Sequence, residues 1–309
     1  MILAKISQAS MLATWQDLGR THSTHHGVGQ GGVMDLHAAC WANRLLGRDI
    51  SQPLIEITMG LFTCQFQTSC QIAITGADMN TTLNGNAIQN WQTQWVNAGD
   101  ELKFNVLKSG FRAYLAIDAD ITLDTIFNSS STVIREQFPG LLGRALTVGD
   151  QILGKANESQ KNLANKQVPD TFIPNYSEPL TLELIPSYQF YQFPKQSVDK
   201  LLNSEYYLQA DSSRMAYLLK GEQVEHSIHS LASEGIAYGA VQVPPNGQPV
   251  ILLNDRQTMG GYPKLGCVSR LSGAALSQRF NPSSVRFKLT SIEEANKKYT
   301  NLLRFFANT

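Results

Sequence analysis

GIAYGAVQVPPNGQPVILLNDRQTMGGYPK, residues 235–264, is the stretch from which the fold is read. Apolar residues fill Gly235–Val243 and Pro249–Leu253, two runs of strand length. Between them stand Pro244, Pro245, Asn246 and Gly247, and Asn-Gly is a strong tight-turn signal. Prolines in this position break any helical continuation. The stretch therefore reads as two short strands joined by a turn, followed by a glycine-containing loop from Asp255 to Lys264.

Outward from it the same pattern recurs. Ala4–Ile6, Leu61–Phe66, Gln71–Thr75, Glu101–Val106 and Arg112–Ile117 are strand candidates in the first half. Leu180–Ile185, Tyr206–Gln209, Cys267–Arg270 and Val285–Thr290 add to the two above in the second. Such spacing predicts barrels or sandwiches rather than a βαβ array. Helices are few. Asp35 is placed to cap one that runs to about Leu46, with Gly47 as its stop. Ser291-Ile292-Glu293-Glu294 is a capping box before an apolar stripe of Ile292, Ala295, Tyr299, Leu302, Leu303 and Phe306, which predicts a C-terminal helix packed on its own domain. Lys155–Pro179 is polar and proline-punctuated, so the chain is divided into domains 1–165 and 166–309.

Composition excludes several functions. The 309 residues carry 25 basic and 25 acidic side chains, so there is no positive surplus for nucleic acid or an anionic membrane. No run of about 18 apolar residues is present to span a bilayer. The N-terminus shows no signal peptide, and a cytoplasmic location is expected. The four cysteines, Cys40, Cys64, Cys70 and Cys267, form no C-x-x-C pair and are expected as reduced thiols. Phosphate-loop, dinucleotide, nucleophile-elbow and zinc-protease motifs are absent. His22, His25 and His26, and the pair His226 and His229, read as loop histidines, and no metal site is predicted. No biotinyl-lysine sequence occurs, so no covalent biotin is expected.

Three segments concentrate polar groups among glycines. The first holds Gln16, Asp17 and Arg20, followed by Gly31-Gly32-Val33-Met34-Asp35. Asp17 and Arg20 are three apart and suit either a mutual ion pair or a substrate site. The second, Ile74–Met79, runs a strand into Gly76 with Asp78 at its tip. The third sets Gln242 near the Asp255–Lys264 loop, where Gly260 and Gly261 permit close approach of a ligand. By composition alone this last segment reads first as an ordinary hairpin and loop.

Together these segments resemble the allophanate hydrolase subunit 2 family, also called biotin-dependent carboxyltransferase-like. The resemblance is carried by Trp15–Arg20, Val33–Asp35, Ala42–Gly47, Ile55–Thr58, Ile74–Asp78, Ser109–Ala116, Gly235–Pro249 and Asp255–Lys264, in order. Ser212-Ser213-Arg214-Met215-Ala216 departs from the family's S-[DN]-R-M-G, Met259 replaces a threonine, and Gln30-Gly31-Gly32 differs from P-V-S-G-A.

The resemblance implies two cyclophilin-like β-barrel domains, mainly β, with a few short helices and the C-terminal helix. It implies a subunit of an ATP-dependent 5-oxoprolinase, converting 5-oxo-L-proline to L-glutamate, that is inactive without its partners. Those partners are a kinase-inhibitor-like (allophanate hydrolase subunit 1) subunit and a lactam-utilisation-type subunit. The alternatives are a carboxyltransferase subunit of a urea carboxylase-like system and a non-catalytic regulator of a kinase inhibitor. ATP is implied as a cofactor of the complex. Catalytic roles are expected for Lys264, Tyr262, Gln257 and Asp255. Substrate binding is expected for Gln16, Asp17, Arg20, Asp78, Arg214, Gln242, Thr258, Gly260 and Gly261.

Overall fold

The computed structural model describes residues 1–157, 166–228 and 231–307. The chain is mainly β, as expected, and forms two compact units. One contains Met1–Arg20 with Gly31–Ser177; the other contains Thr21–Gln30 with Glu178–Thr309. Residues 158–165, where the sequence-based boundary falls, lie outside the described residues. Residues 166–177 follow the first unit: Thr93 N donates to Lys166 O and Val168 N to Trp91 O, both at 2.8 Å.

The first unit holds two sheets. The larger orders its strands Ala119–Ile121, Gln151–Ala156, Ile2–Gln8, Gly60–Phe66, Glu101–Val106, Thr82–Leu83 and Asn86–Ala87. The smaller orders Leu12–Gln16, Leu54–Thr58, Ser109–Ile117, Cys70–Asp78 and Gln92–Val96. Alternating residues of both contribute to one core, with Leu3, Phe62, Phe66 and Phe104 from the first and Ile55, Ile57, Ile72, Ile74 and Leu115 from the second. Phe62 and Phe104 meet edge to face with centroids 6.1 Å apart. Helix Leu36–Leu45 packs on the smaller sheet. Asp35 caps it, its carboxylate accepting from Ala38 N, and Thr75 Oγ1 donates to Ala38 O at 2.7 Å.

The second unit is built on a closed barrel. Its strands run Leu180–Pro186, Lys264–Val268, Ala240–Gln242, Val250–Leu252, Ala216–Lys220, Tyr206–Leu208 and Ser284–Leu289 around the ring. Ser284–Leu289 returns to Leu180–Pro186 in parallel and closes it. Closure leaves no unpaired edge along the ring.

Two strand expectations are corrected here. Gly235–Val243 splits into Glu234–Gly235 and Ala240–Gln242, because Gly239 turns the backbone at φ 79°. The strand expected at Cys267–Arg270 ends at Val268. Ser269 then caps helix Arg270–Leu276 through Ser272 N. The C-terminal helix Ile292–Ala307 starts at the expected box, with Ser291 Oγ accepting from Glu294 N, and packs on the helix Arg270–Leu276 and the strand Leu180–Pro186. All four cysteines are free thiols, three of them buried. No helix among the described residues is long and apolar enough to cross a membrane.

Candidate functional site

Lys264 opens its barrel strand, and strand pairing sets it opposite Gln242. Opposed residues share a face of the sheet. Lys264 is 7% exposed, so its ammonium needs a partner, and Glu234 supplies the carboxylate. Glu234 belongs to the short ladder in which it pairs with Gly260. Tyr188 Oη donates to Glu234 Oε2 at 2.6 Å, and Gln189 Nε2 donates to Glu234 Oε1 at 2.8 Å. The Gln189 amide also fixes the strand: Lys264 N donates to Gln189 Oε1, and Ser187 Oγ to Lys264 O, both at 2.7 Å. Lys264, with Tyr188 second, holds the Glu234 carboxyl below the usual carboxylate range. Glu234 in turn pushes the Tyr188 phenol up.

Gln242 and Gly260 complete the cluster. Gln242 is 2% exposed, and its Nε2 meets no acceptor among the described residues. A Cβ on Gly260 would stand 3.3 Å from that nitrogen and 2.6 Å from Ile236 Cδ1. Glycine at 260 therefore lets Ile236 and the Gln242 amide pack directly against the loop backbone. Gly261 lies against Leu231 O, and Tyr262 is half exposed. The arrangement offers a buried ammonium, an amide N–H and a phenol anchored on a carboxylate, a set suited to polarising a carbonyl and moving a proton.

The rest of the Asp255–Lys264 loop supports this cluster. Both oxygens of Asp255 accept from Arg214, at 2.9 Å from Nε and 3.0 Å from Nη2. Such a two-point pair fixes the loop base. Arg256, 6% exposed, donates to Ile236 O at 3.0 Å, Leu253 O at 3.1 Å and Gln30 Oε1 at 3.3 Å. Burial, with Arg270 nearby, pulls its pKa down to about 10. Thr258 O accepts from Ile236 N at 2.9 Å, and Gln257 is half buried.

In the first unit the structure brings Gln16, Asp17 and Arg20 onto the segment Ser129-Ser130-Ser131-Thr132. Gln16 Nε2 donates to Thr14 Oγ1 and Thr132 O, and its Oε1 accepts from Gly32 N. Asp17 accepts from Gly19 N, Ser129 Oγ, Ser130 N and Ser131 Oγ. Arg20 Nη2 donates to Ser131 O at 2.6 Å, and its guanidinium lies over Phe138. Asp78 stands apart from these three, beside Lys108 in a cleft of the same unit. His25 and His26 lie in a single 3-10 turn, and His226 Nε2 is 3.2 Å from Val243 O. His229 lies outside the described residues.

Sequence reasoning missed Glu234, Tyr188 and Gln189. Glu234 immediately precedes the quoted stretch, but Asp255 inside it is the nearer carboxylate in sequence. Tyr188 and Gln189 lie in the turn after the strand Leu180–Pro186, some 75 residues earlier, and the barrel pairing of that strand brings them to Lys264.

A family model, carboxyltransferase domain, subdomain A and B, matches residues 26–289. The chain is 33% identical to a 5-oxoprolinase subunit of Escherichia coli, over 98% of this chain and 96% of that protein. It is 35% identical to the corresponding 5-oxoprolinase subunit of Haemophilus influenzae, over 92% and 90%. Urea amidolyase of Saccharomyces cerevisiae is 28% identical over 79% of this chain, which spans 14% of that protein. Among solved structures, Kluyveromyces lactis urea carboxylase shares the fold with TM-score 0.91 at 23% identity, over 99% of this chain and 29% of the other.

Proposed function

Because the chain belongs to the carboxyltransferase subdomain A and B family, we propose that it is a subunit of an ATP-dependent 5-oxoprolinase. One observation carries this reading. The match to the Escherichia coli 5-oxoprolinase subunit extends over nearly the whole of both proteins, whereas the chain corresponds to only 14% of urea amidolyase. Its partners on this reading are a kinase-inhibitor-like subunit and a lactam-utilisation-type subunit. The four free cysteines support a reducing, cytoplasmic setting.

The Lys264 cluster is the part of this chain we assign to the substrate. Opening a lactam places negative charge on the carbonyl oxygen. Lys264 and Gln242 Nε2 would donate to that oxygen, and the low dielectric around them would strengthen both contacts. The Glu234 carboxylate would take a proton from the attacking water, and Tyr188, which donates to that carboxylate, would give its own to the departing substrate nitrogen and be reprotonated from Glu234. Gln257, Thr258 and Tyr262 lie along the loop that would close over the ring, and Asp255 with Arg214 would anchor it. ATP enters as a co-substrate of the assembled enzyme. The residues gathered around Lys264 do not fit a triphosphate, because their one ammonium is matched by Glu234. No step through ATP is assigned to this chain.

The test is reconstitution with both partner subunits, followed by measurement of glutamate released from 5-oxo-L-proline with ATP. Release that requires all three chains supports the reading. Failure of the assembled complex, or carboxyl transfer from carboxybiotin instead, overturns it. Robust hydrolysis by this chain alone would contradict the partner-dependent role.

A further inference from the structure

A cleft of about 430 Å³ opens on the barrel unit, where the strands Leu180–Pro186 and Lys264–Val268 meet the helices Arg270–Leu276 and Ile292–Ala307. That is the size of a small-molecule site. Ile185, Pro186, Val268 and Ile292 give it apolar walls. Its two serine hydroxyls are occupied within the fold. Ser187 Oγ donates to Lys264 O at 2.7 Å, and Ser269 Oγ accepts from Ser272 N at 3.2 Å.

Among the described residues Arg270 is the only charged side chain lining this cleft. Its guanidinium carbon lies 4.8 Å from the ring centroid of Tyr238 and 5.7 Å from that of Tyr299. Both rings line the cleft, so the guanidinium is held at it rather than left to move through solvent. Arg270 is exposed, and its N–H groups make no hydrogen bond or ion pair among the described residues. Stacking uses the faces of a guanidinium and leaves its edge, which carries the donors. The Asn296 amide, also in the lining, is likewise unbonded among the described residues. A second guanidinium, of Arg256, lies 6.0 Å from the Tyr238 centroid. Its acceptors there are all neutral: Ile236 O, Leu253 O and Gln30 Oε1. The cleft thus combines apolar walls with a positive potential that no lining acid offsets.

We propose that this cleft binds a small hydrophobic monocarboxylate. The carboxylate takes a two-point contact on the edge of Arg270, and the apolar body lies against Ile185 and Ile292. Because the rings already hold the guanidinium, little further order is lost on binding. Phosphate fits less well, since one guanidinium leaves most of its charge unmatched and the apolar walls give it nothing. The Lys264 cluster is a different place chemically, because its ammonium is already matched by Glu234. The assignment concerns binding by this chain alone and stands independently of the 5-oxoprolinase reading.

The experiment titrates the full chain with phenylacetate, observed by saturation-transfer NMR, beside phenylacetamide, acetate, inorganic phosphate and 5-oxo-L-proline. Saturable binding of phenylacetate is expected. Phenylacetamide should bind roughly tenfold more weakly or worse, because it forfeits the charge-assisted contact. Acetate should lose a similar factor, because it buries almost no apolar surface. Arg270→Gln should weaken phenylacetate binding roughly tenfold or more with melting unchanged, since the side chain is exposed. Ala237 is an exposed lining residue, and Ala237→Phe should weaken binding by filling the cleft with the guanidinium intact. That variant decides the matter should Arg270→Gln fail to fold. No saturable binding of phenylacetate, or equal binding of phenylacetamide, would overturn the proposal. Acetate or phosphate binding as tightly as phenylacetate would reduce the site to a surface charge and overturn it too. So would tighter binding of 5-oxo-L-proline, or phenylacetate binding that survives Arg270→Gln but disappears in Lys264→Ala.

Discussion

Asp17 and Lys264 are buried to almost the same degree, 8% and 7% exposed, yet their surroundings differ in kind. The Asp17 carboxylate is enclosed by backbone and serine donors from residues 19 and 129–131. Gln16 beside it is similarly occupied on both its nitrogen and its oxygen. Lys264 instead meets a carboxylate whose side chain is 34% exposed, next to a buried amide donor with no acceptor among the described residues. A polar network closed upon itself holds a fold together. One that leaves a buried donor without an acceptor among the described residues is not closed in this way.

The largest effect should come from opening the closed network. Asp17→Ala strands several donors, and a loss of about 3 kcal/mol or more is expected. Thermal melting should then fall by roughly 6–12 °C for a unit of this size. The surviving protein, once assembled, should keep its kinetics. Normal stability with a raised KM would instead move Asp17 into the substrate site and erase the contrast.

Lys264→Ala should reverse the pattern. A charge-assisted bond contributes about 1.5–3 kcal/mol, so kcat/KM of the reconstituted complex should drop roughly tenfold or more. Assembly is checked by gel filtration. Unchanged kinetics here and in Gln257→Ala would make this loop scaffold.

Gln242→Leu is the sharper probe. It removes a buried nitrogen that has no acceptor among the described residues, so melting should hold or rise slightly while kcat/KM falls severalfold. A loss of stability would show that the amide is structural.

The smallest effect concerns acid. Glu234 is held below its unfolded value by Lys264, so its contribution is present above that value, about 4.3, and fades as pH falls through the lower folded one. Glu234→Gln should thus lower the melting temperature slightly at neutral pH, and the difference from the parent should vanish on acidification. A gap that widened in acid would refute the assignment of cause.

Much of this was legible beforehand where local rules govern. Strand Glu101–Val106 has the expected bounds, and the Asp35 and Ser291 caps form as read. The strands Leu12–Gln16 and Leu54–Thr58 escaped notice because Gln16 and Glu56 are polar and buried, which breaks the alternation that marks a strand. Their acceptability depends on partners far along the chain, Thr132 for Gln16 and Tyr114 for Glu56. Helix Lys195–Asn203 is nine residues long and two-thirds polar, too short for its periodicity to stand out. The Lys264 cluster was half legible for the same reason. Its lysine, glutamine and glycine lie in one stretch, while Tyr188 and Gln189 arrive only through closure of the barrel.

The ten residues Thr21–Gln30, borrowed from the N-terminal half by the barrel unit, bear on how the molecule can be dissected. The chain enters that unit, leaves it and returns, so no single cut yields two self-sufficient pieces. A fragment beginning at Glu178 lacks Gln30, and Arg256 would lose one of the acceptors that hold its buried charge. Complementation between split halves should therefore need the short N-terminal segment supplied with the barrel.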